Sequence, residues 1–291
     1  MSPQHDHGAP PAPIPCGAAV LEFGRRTLVA AIINMSPDSF AGDGLAGDPG
    51  AAEARGHAWR EAGADVLDVG GRSTRPGAPP VAVEDELRLT IPAVRRLASV
   101  GLPISVDTFS AAVATAALDA GACMINDVTA LRGDPAMAPL AARAGVPVVL
   151  MDWDDRRDAA DVVAETARFL RERMAAAVAQ GIEERRLIVD PGYGFGLTLR
   201  QNMELLRRLG ELRALGRPVL IGTSRKGSIG KVLNLPVHDR LEGTAATVAV
   251  AIAHGADIVR VHDVRAMVRV ARMTDAIVRG VPETAPPEGP A

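Results

Sequence analysis

Short apolar runs alternate along the chain with longer segments whose apolar positions recur every three to four residues. Eight runs carry consecutive apolar, largely β-branched residues: 28–34, 66–70, 104–107, 124–127, 147–151, 187–190, 219–222 and 258–261. A strand with one wet face alternates apolar and polar positions, so unbroken runs predict parallel strands buried on both faces. Between them, Ala-, Leu- and Arg-rich segments predict helices at 50–62, 84–99, 110–120, 135–144, 158–180, 201–214, 239–254 and 264–279. Gly63, Gly121, Gly145 and Gly255 follow four of these and read as helix stops. Eight strand–helix units in series predict an α/β fold, a single (β/α)8 TIM barrel. An open doubly wound sheet is disfavoured, because no Gly-x-Gly-x-x-Gly follows the first strand. The segment 14–26, apolar with Gly17 and Gly24, predicts an N-terminal hairpin closing the barrel bottom.

Composition adds boundaries and exclusions. Nine of the 22 prolines fall in 1–15 and 281–291, predicting disordered tails around a barrel spanning 16–280. With 32 Lys+Arg against 35 Asp+Glu the net charge is −3, which argues against a nucleic-acid partner. No apolar stretch reaches the roughly 18–20 residues of a membrane span, so no membrane partner is expected. No basic-then-apolar leader opens the chain. The two cysteines, Cys16 and Cys123, are too few for a disulfide framework and lack metal-site spacing. A cytoplasmic location is expected. The lysines are only Lys226 and Lys231 and the asparagines only Asn34, Asn126, Asn202 and Asn234, so each stands out against an Arg- and Ala-rich background.

Polar residues gather where the strands end: Asn34, Asp68, Asp107, Asn126-Asp127, Met151-Asp152, Asp190, Thr223-Ser224-Arg225-Lys226, and Arg260 with His262. A single such residue reads as a cap or turn former. Such groups at nearly every strand end point instead to a site at the C-terminal face of the barrel. Carboxylates and carboxamides there suit the paired N–H edge of a heterocycle, since one accepts two parallel bonds and the other both donates and accepts.

The chain resembles the dihydropteroate synthases, of the pterin-binding (β/α)8 family, from about Leu28 to Ile277. Ordered motifs carry the resemblance: Asn34, Pro37-Asp38-Ser39-Phe40, Gly70-Gly71, Ser73-Thr74-Arg75-Pro76-Gly77, Ser105-Val106-Asp107-Thr108, Asn126-Asp127-Val128, Asp190-Pro191-Gly192, Gly194-Phe195-Gly196, Ser224-Arg225-Lys226 and Arg260-Val261-His262-Asp263. The resemblance implies a transferase that joins 6-hydroxymethyl-7,8-dihydropterin pyrophosphate to p-aminobenzoate and releases pyrophosphate. It implies a pterin held by Asp107, Asn126, Met151, Asp190 and Lys226, and a pyrophosphate on Asn34, Arg75, Arg260 and His262. It implies Mg2+ at Asn34, p-aminobenzoate near Phe40, Thr74, Pro76, Phe195 and Gly227, and a homodimer. The chemistry is expected to rest on Lys226, Asp190, Arg260 and His262.

The chain departs from the family on the aminobenzoate side. Arg72 stands where an acidic residue is usual, Gly227-Ser228 replaces Ser-Phe, and Met151-Asp152 replaces Met-His. Gly227 removes a hydroxyl from the expected aminobenzoate contact, which implies reduced sulfonamide sensitivity. Two alternatives stay open: a methyltransferase barrel using a methylated pterin, and a pterin-binding paralogue without turnover. The first has no need of the Arg75, Arg260 and His262 anion pocket.

Overall fold

The structure, a computed structural model, describes residues 9–36, 44–72, 81–154 and 158–281. A hairpin of β1 (Ile14–Cys16) and β2 (Ala19–Leu21) comes first, paired antiparallel. Eight parallel strands then form one sheet: β3 (Leu28–Asn34), β4 (Val66–Gly70), β5 (Ile104–Asp107), β6 (Met124–Asp127), β7 (Val148–Met151), β8 (Leu187–Asp190), β9 (Leu220–Ile221) and β10 (Ile258–Val261). The strand order is β8-β7-β6-β5-β4-β3-β10-β9, and a parallel bridge between Val189 and Val219 joins the two ends into a barrel. Around it lie α1 (Pro49–Ala62), α2 (Val83–Leu97), α3 (Ala111–Asp119), α4 (Met137–Ala144), α5 (Val162–Ala179), α6 (Leu199–Arg207), α7 (Gly227–Leu233), α8 (Leu241–Ala253) and α9 (Val264–Arg279). The (β/α)8 architecture predicted from the sequence is the one observed. Among the described residues, no helix is long and apolar enough to cross a membrane.

Both strand faces are buried, which explains the unbroken apolar runs. Val29, Ala31, Ile33, Leu67, Val69 and Val106 face the surrounding helices as part of the main core. The alternate positions point inward, where a second cluster of Leu28, Ala30, Val66, Met124, Val149, Ile188, Leu220 and Ile258 fills the barrel floor. The hairpin supplies Ile14, Cys16 and Leu21 to that cluster, so it plugs the bottom as the sequence predicts. Two residues further along the same inward rows, most apolar side chains give way to Asp68, Asn126, Asp190 and Arg260, while β7 ends on Met151. Period two therefore stacks an apolar floor beneath a polar mouth.

Three details differ from the expected elements. The helix expected at 201–214 is α6 followed by a 3-10 turn over Leu209–Leu215. The break comes at Arg208, whose guanidinium is drawn to Asp161, Glu204 and Glu211. The helix expected at 158–180 starts at Val162, because the Asp161 side chain accepts from Val163 and Ala164 N–H and caps it there. The short helix α7 lies outside the segments that periodicity predicts; Asn234 ends it in the left-handed region at φ 55°.

Candidate active site

The strand ends enclose a cavity of about 330 Å3, lined by residues from all eight barrel strands or the segments just after them. Asn34, Asp107, Asn126, Met151, Asp190, Lys226, Gly227, Phe195, Arg260 and His262, all expected site residues, line it together. Phe40, Thr74, Arg75 and Pro76 lie outside the described residues.

Arg260 organises the polar half. It projects inward from β10, its Nε donates to Asp68 at 2.5 Å and its Nη2 to Asp107 at 2.7 Å. Asn126 completes the group by donating from Nδ2 to Asp68 Oδ2 at 3.2 Å. Asp68 is thus the residue whose role the sequence reading missed: it is buried and orients both the Arg260 guanidinium and the Asn126 carboxamide. Its only sequence signal was its place at a strand end. Burial pushes Asp107 up to about 7, although Arg260 pulls it down. Its Oδ1 is buried with no hydrogen-bond partner. A buried acceptor left open in a cavity is a place for a ligand N–H.

Asp190 ends β8 and accepts from Gly192 N–H at 2.8 Å through Oδ1. Burial raises it to about 6. Gly192 is at φ 69°, and a Cβ there would sit 1.7 Å from the Asp152 carbonyl oxygen, so only glycine permits this turn. The buried Asp152 donates its N–H to the Asp190 carbonyl at 2.9 Å, which ties the two strand ends together. Asn202 holds the rest of the loop by accepting from Gly194 N–H at 2.6 Å and donating to the Leu197 and Thr198 carbonyls.

Lys226 places its Nζ 3.8 Å from the Phe195 ring centroid, a cation–π contact in a largely desolvated setting. Burial lowers the ammonium to about 7 while Asp190 pulls it back up. Phe195 in turn meets Trp153 edge-on, with centroids 5.7 Å apart. With Met151 and Val128 these rings form a small apolar cluster of their own. A flat heterocycle entering here meets aromatic and thioether surface on one side and carboxylates on the other. Arg225 adopts φ 56°, held by a pair of bonds to Asp263 and by Thr244 Oγ1, and so turns the chain to bring Lys226 inward.

Just after β10, the neighbour of β9, His262 Nδ1 lies 3.0 Å from Ser224 Oγ, which also accepts the His262 backbone N–H at 3.2 Å. Ser224 therefore fixes both ring and backbone. Arg72, the charge reversal in the second loop, also lines the cavity. Its charge is offset locally: the guanidinium stacks 4.2 Å from the Phe109 centroid and lies 3.6 Å from the buried Glu86 carboxylate. It also donates to the Val81 carbonyl at 3.0 Å.

The Gly227-Ser228 departure is accommodated in the same way. Ser228 is buried, and its hydroxyl bonds the Tyr193 hydroxyl at 2.7 Å. The pair fills the space beneath α7, a helix of seven residues, too short to contribute much dipole of its own. A Cβ on Gly227 would meet nothing within 4 Å.

Residues 30–262 match the family described as pterin binding enzymes. The chain is 42% identical over 261 residues to the dihydropteroate synthase of Bacillus subtilis, covering 89% of this chain and 92% of that one. It superposes on the Xanthomonas albilineans dihydropteroate synthase solved with 4-aminobenzoic acid, with a TM-score of 0.85, 44% identity and coverage of 94% and 100%. The same enzyme solved with 7,8-dihydropteroate gives 0.84, 43%, 93% and 100%. The chain belongs to the pterin-binding enzyme family and, within it, to the dihydropteroate synthases, transferases of folate biosynthesis.

Proposed function

We propose that the cavity seats the pterin ring against Asp107, Asn126 and Asp190, with its pyrophosphate towards His262, Arg260 and Asn34. The open, buried Oδ1 of Asp107 carries this reading, since a ring N–H supplies the donor it lacks. Met151 packs on the ring, and Lys226 reaches it from above Phe195. The amine nitrogen of p-aminobenzoate, entering beside Phe195 and Gly227, forms a C–N bond to the methylene carbon of the pterin. The C–O bond to pyrophosphate breaks, and the amine gives up a proton. Positive charge left on the pterin as that bond breaks lies next to Asp190, whose buried carboxylate stabilises it more in the transition state than in the ground state. Charge gathering on the departing pyrophosphate is met by the Arg260 guanidinium and the His262 ring.

Asn34 is the residue that would hold Mg2+. Its Oδ1 accepts from Ser36 N–H at 3.0 Å and has a second lone pair. Among the described residues, no group of three or more His, Cys, Asp or Glu is placed to hold a metal. Such a donor set fits a Mg2+ held chiefly by pyrophosphate oxygens and water rather than an ion caged by protein. When bound, Mg2+ neutralises charge on the leaving group. Asn34→Ala is expected to weaken Mg2+-dependent pyrophosphate binding about tenfold, the equivalent of one contact worth about 1.4 kcal/mol, and to spare bare pterin. Separate calorimetric titrations of pterin and pyrophosphate check this, and equal loss of both removes Asn34 from the metal site.

The aminobenzoate side supports reduced sulfonamide sensitivity. Restoring a hydroxyl with Gly227→Ser costs no space, whereas Ser228→Phe would break the Ser228–Tyr193 pair and is a poor probe. Gly227→Ser is expected to lower the ratio of sulfonamide inhibition constant to the KM for p-aminobenzoate by about three- to tenfold. An unchanged ratio in steady-state inhibition assays takes Gly227 out of drug discrimination.

We also propose a cytoplasmic homodimer that covers α9, where Met273 and Ile277 are 63% and 70% exposed on one face. Sedimentation equilibrium should give twice the chain mass at micromolar protein, and Met273→Glu/Ile277→Glu should give the monomer. A native protein that sediments as a monomer contradicts this.

A further inference from the structure

The two cysteines are 107 residues apart in sequence, yet their sulfurs lie 3.3 Å apart at the barrel floor, the end opposite the active site. Cys16 ends β1, the first strand of the plug, and is buried; Cys123 immediately precedes β6 and is partly exposed. Several features hold the pair in place. Cys16 Sγ is also 3.5 Å from the Cys123 carbonyl, and Cys123 Sγ is 3.7 Å from the carbonyl of Ile104 on β5. The Cys123 N–H donates to that same Ile104 carbonyl at 2.8 Å. Gly17, at φ 61°, makes room: a Cβ there would come within 3.1 Å of Cys123 Cβ and 3.2 Å of its sulfur. Buried on one side and reachable on the other, the pair has the layout of an attacking thiol with a resolving partner.

We propose that Cys16 and Cys123 form a redox staple, closing to an intramolecular disulfide under hydrogen peroxide and locking the N-terminal hairpin to the barrel floor. Cys123 is the attacking thiol, because it is the exposed one. The hydrogen bond from Cys16 brings its thiol down to about 7, while that bond and burial push Cys16 up. The Cys123 thiolate attacks a peroxide oxygen, an S–O bond forms, the O–O bond breaks, and hydroxide leaves to take up a proton as water. The Cys16 thiol then loses its proton and attacks the Cys123 sulfur; the S–S bond forms, the S–O bond breaks, and a second water leaves. Two thiols and one peroxide thus give one disulfide and two waters. Closing so long a loop restricts the unfolded chain strongly, so the oxidised protein should be the more stable form.

The test uses the intact protein, reduced and then treated with stoichiometric hydrogen peroxide. The expected product is a monomer on a non-reducing gel, lighter by two hydrogens, with no thiol titratable after denaturation. Its melting midpoint should rise by at least ~4 °C. Dithiothreitol should reverse both changes, and pyrophosphate release should stay within about twofold throughout, since the pair is remote from the mouth. Cys16→Ser should leave Cys123 without its resolving partner, so that variant gains oxygen atoms instead of losing hydrogens. A native protein that gains oxygen without losing its two hydrogens, links between chains, or melts at an unchanged temperature overturns the proposal, and none of these readings depends on a variant folding.

Discussion

Arg260→Met is expected to unfold far more readily than the native protein, by about 3–5 kcal/mol at pH 8, and to lose turnover. The guanidinium is the shared partner of Asp68 and Asp107, both buried, and removing one member of a buried ion cluster leaves the others uncompensated. The sign of the pH dependence follows from Asp107. Its folded pKa, about 7, lies above its ordinary 3.8, so its contribution to stability is present below about 4 and lost as pH rises through 7. Without Arg260 that penalty grows, so the deficit of Arg260→Met should be larger at pH 8 than at pH 5.5. Urea unfolding at the two values measures it. A variant as stable as the native protein at pH 8 would mean that the cluster is not held by Arg260.

Asp190→Asn is expected to lose pterin affinity by about 5- to 150-fold, the range of one buried donor left without its acceptor, about 1–3 kcal/mol. Pyrophosphate binding should change far less. The unliganded variant should keep or gain stability at pH 8. Asp190 has its folded pKa raised by burial to about 6, so the stability it contributes is present at low pH and lost as pH rises through 6. For the native protein the same two carboxyls predict that pterin affinity climbs between pH 6 and 7 as Asp190 and Asp107 ionise and become full acceptors. Asparagine at 190 should remove the lower part of that climb. If Asp190 serves only to hold the Gly192 turn, the variant melts lower and binds pterin unchanged. Calorimetry and a melting curve on one sample separate the outcomes.

The barrel was legible because two periods coexist in the strands. The outward row is apolar almost throughout and the inward row is largely apolar near the floor, which gives nearly unbroken runs, while towards the strand ends the inward row turns polar. Those polar positions are what placed Asp107, Asn126, Asp190 and Arg260 in the site. The rarity of asparagine carried information as well: Asn34 and Asn126 line the cavity, Asn202 holds the Gly192–Leu197 loop, and Asn234 supplies the left-handed end of α7. What escaped the sequence was pairing between distant elements. Nothing local to Asp68 says that it faces Arg260, 192 residues away, and nothing near Arg72 reveals the buried Glu86 that offsets its charge. Ser228 reads as a loss of bulk until Tyr193 is seen to bond it. The short helix α7 carries no periodic signal, because seven residues are too few to establish a helical period.

One cavity is expected to carry out the condensation with these residues. The most direct measurement is pyrophosphate release from purified protein given Mg2+ and the pterin pyrophosphate, with and without p-aminobenzoate, in the native protein and in Asp190→Asn. Release should depend on the amine, be matched mole for mole by dihydropteroate, and fall sharply in the variant at subsaturating pterin. Release at the same rate without the amine, or a variant as active as the native protein at every pterin concentration, would contradict it.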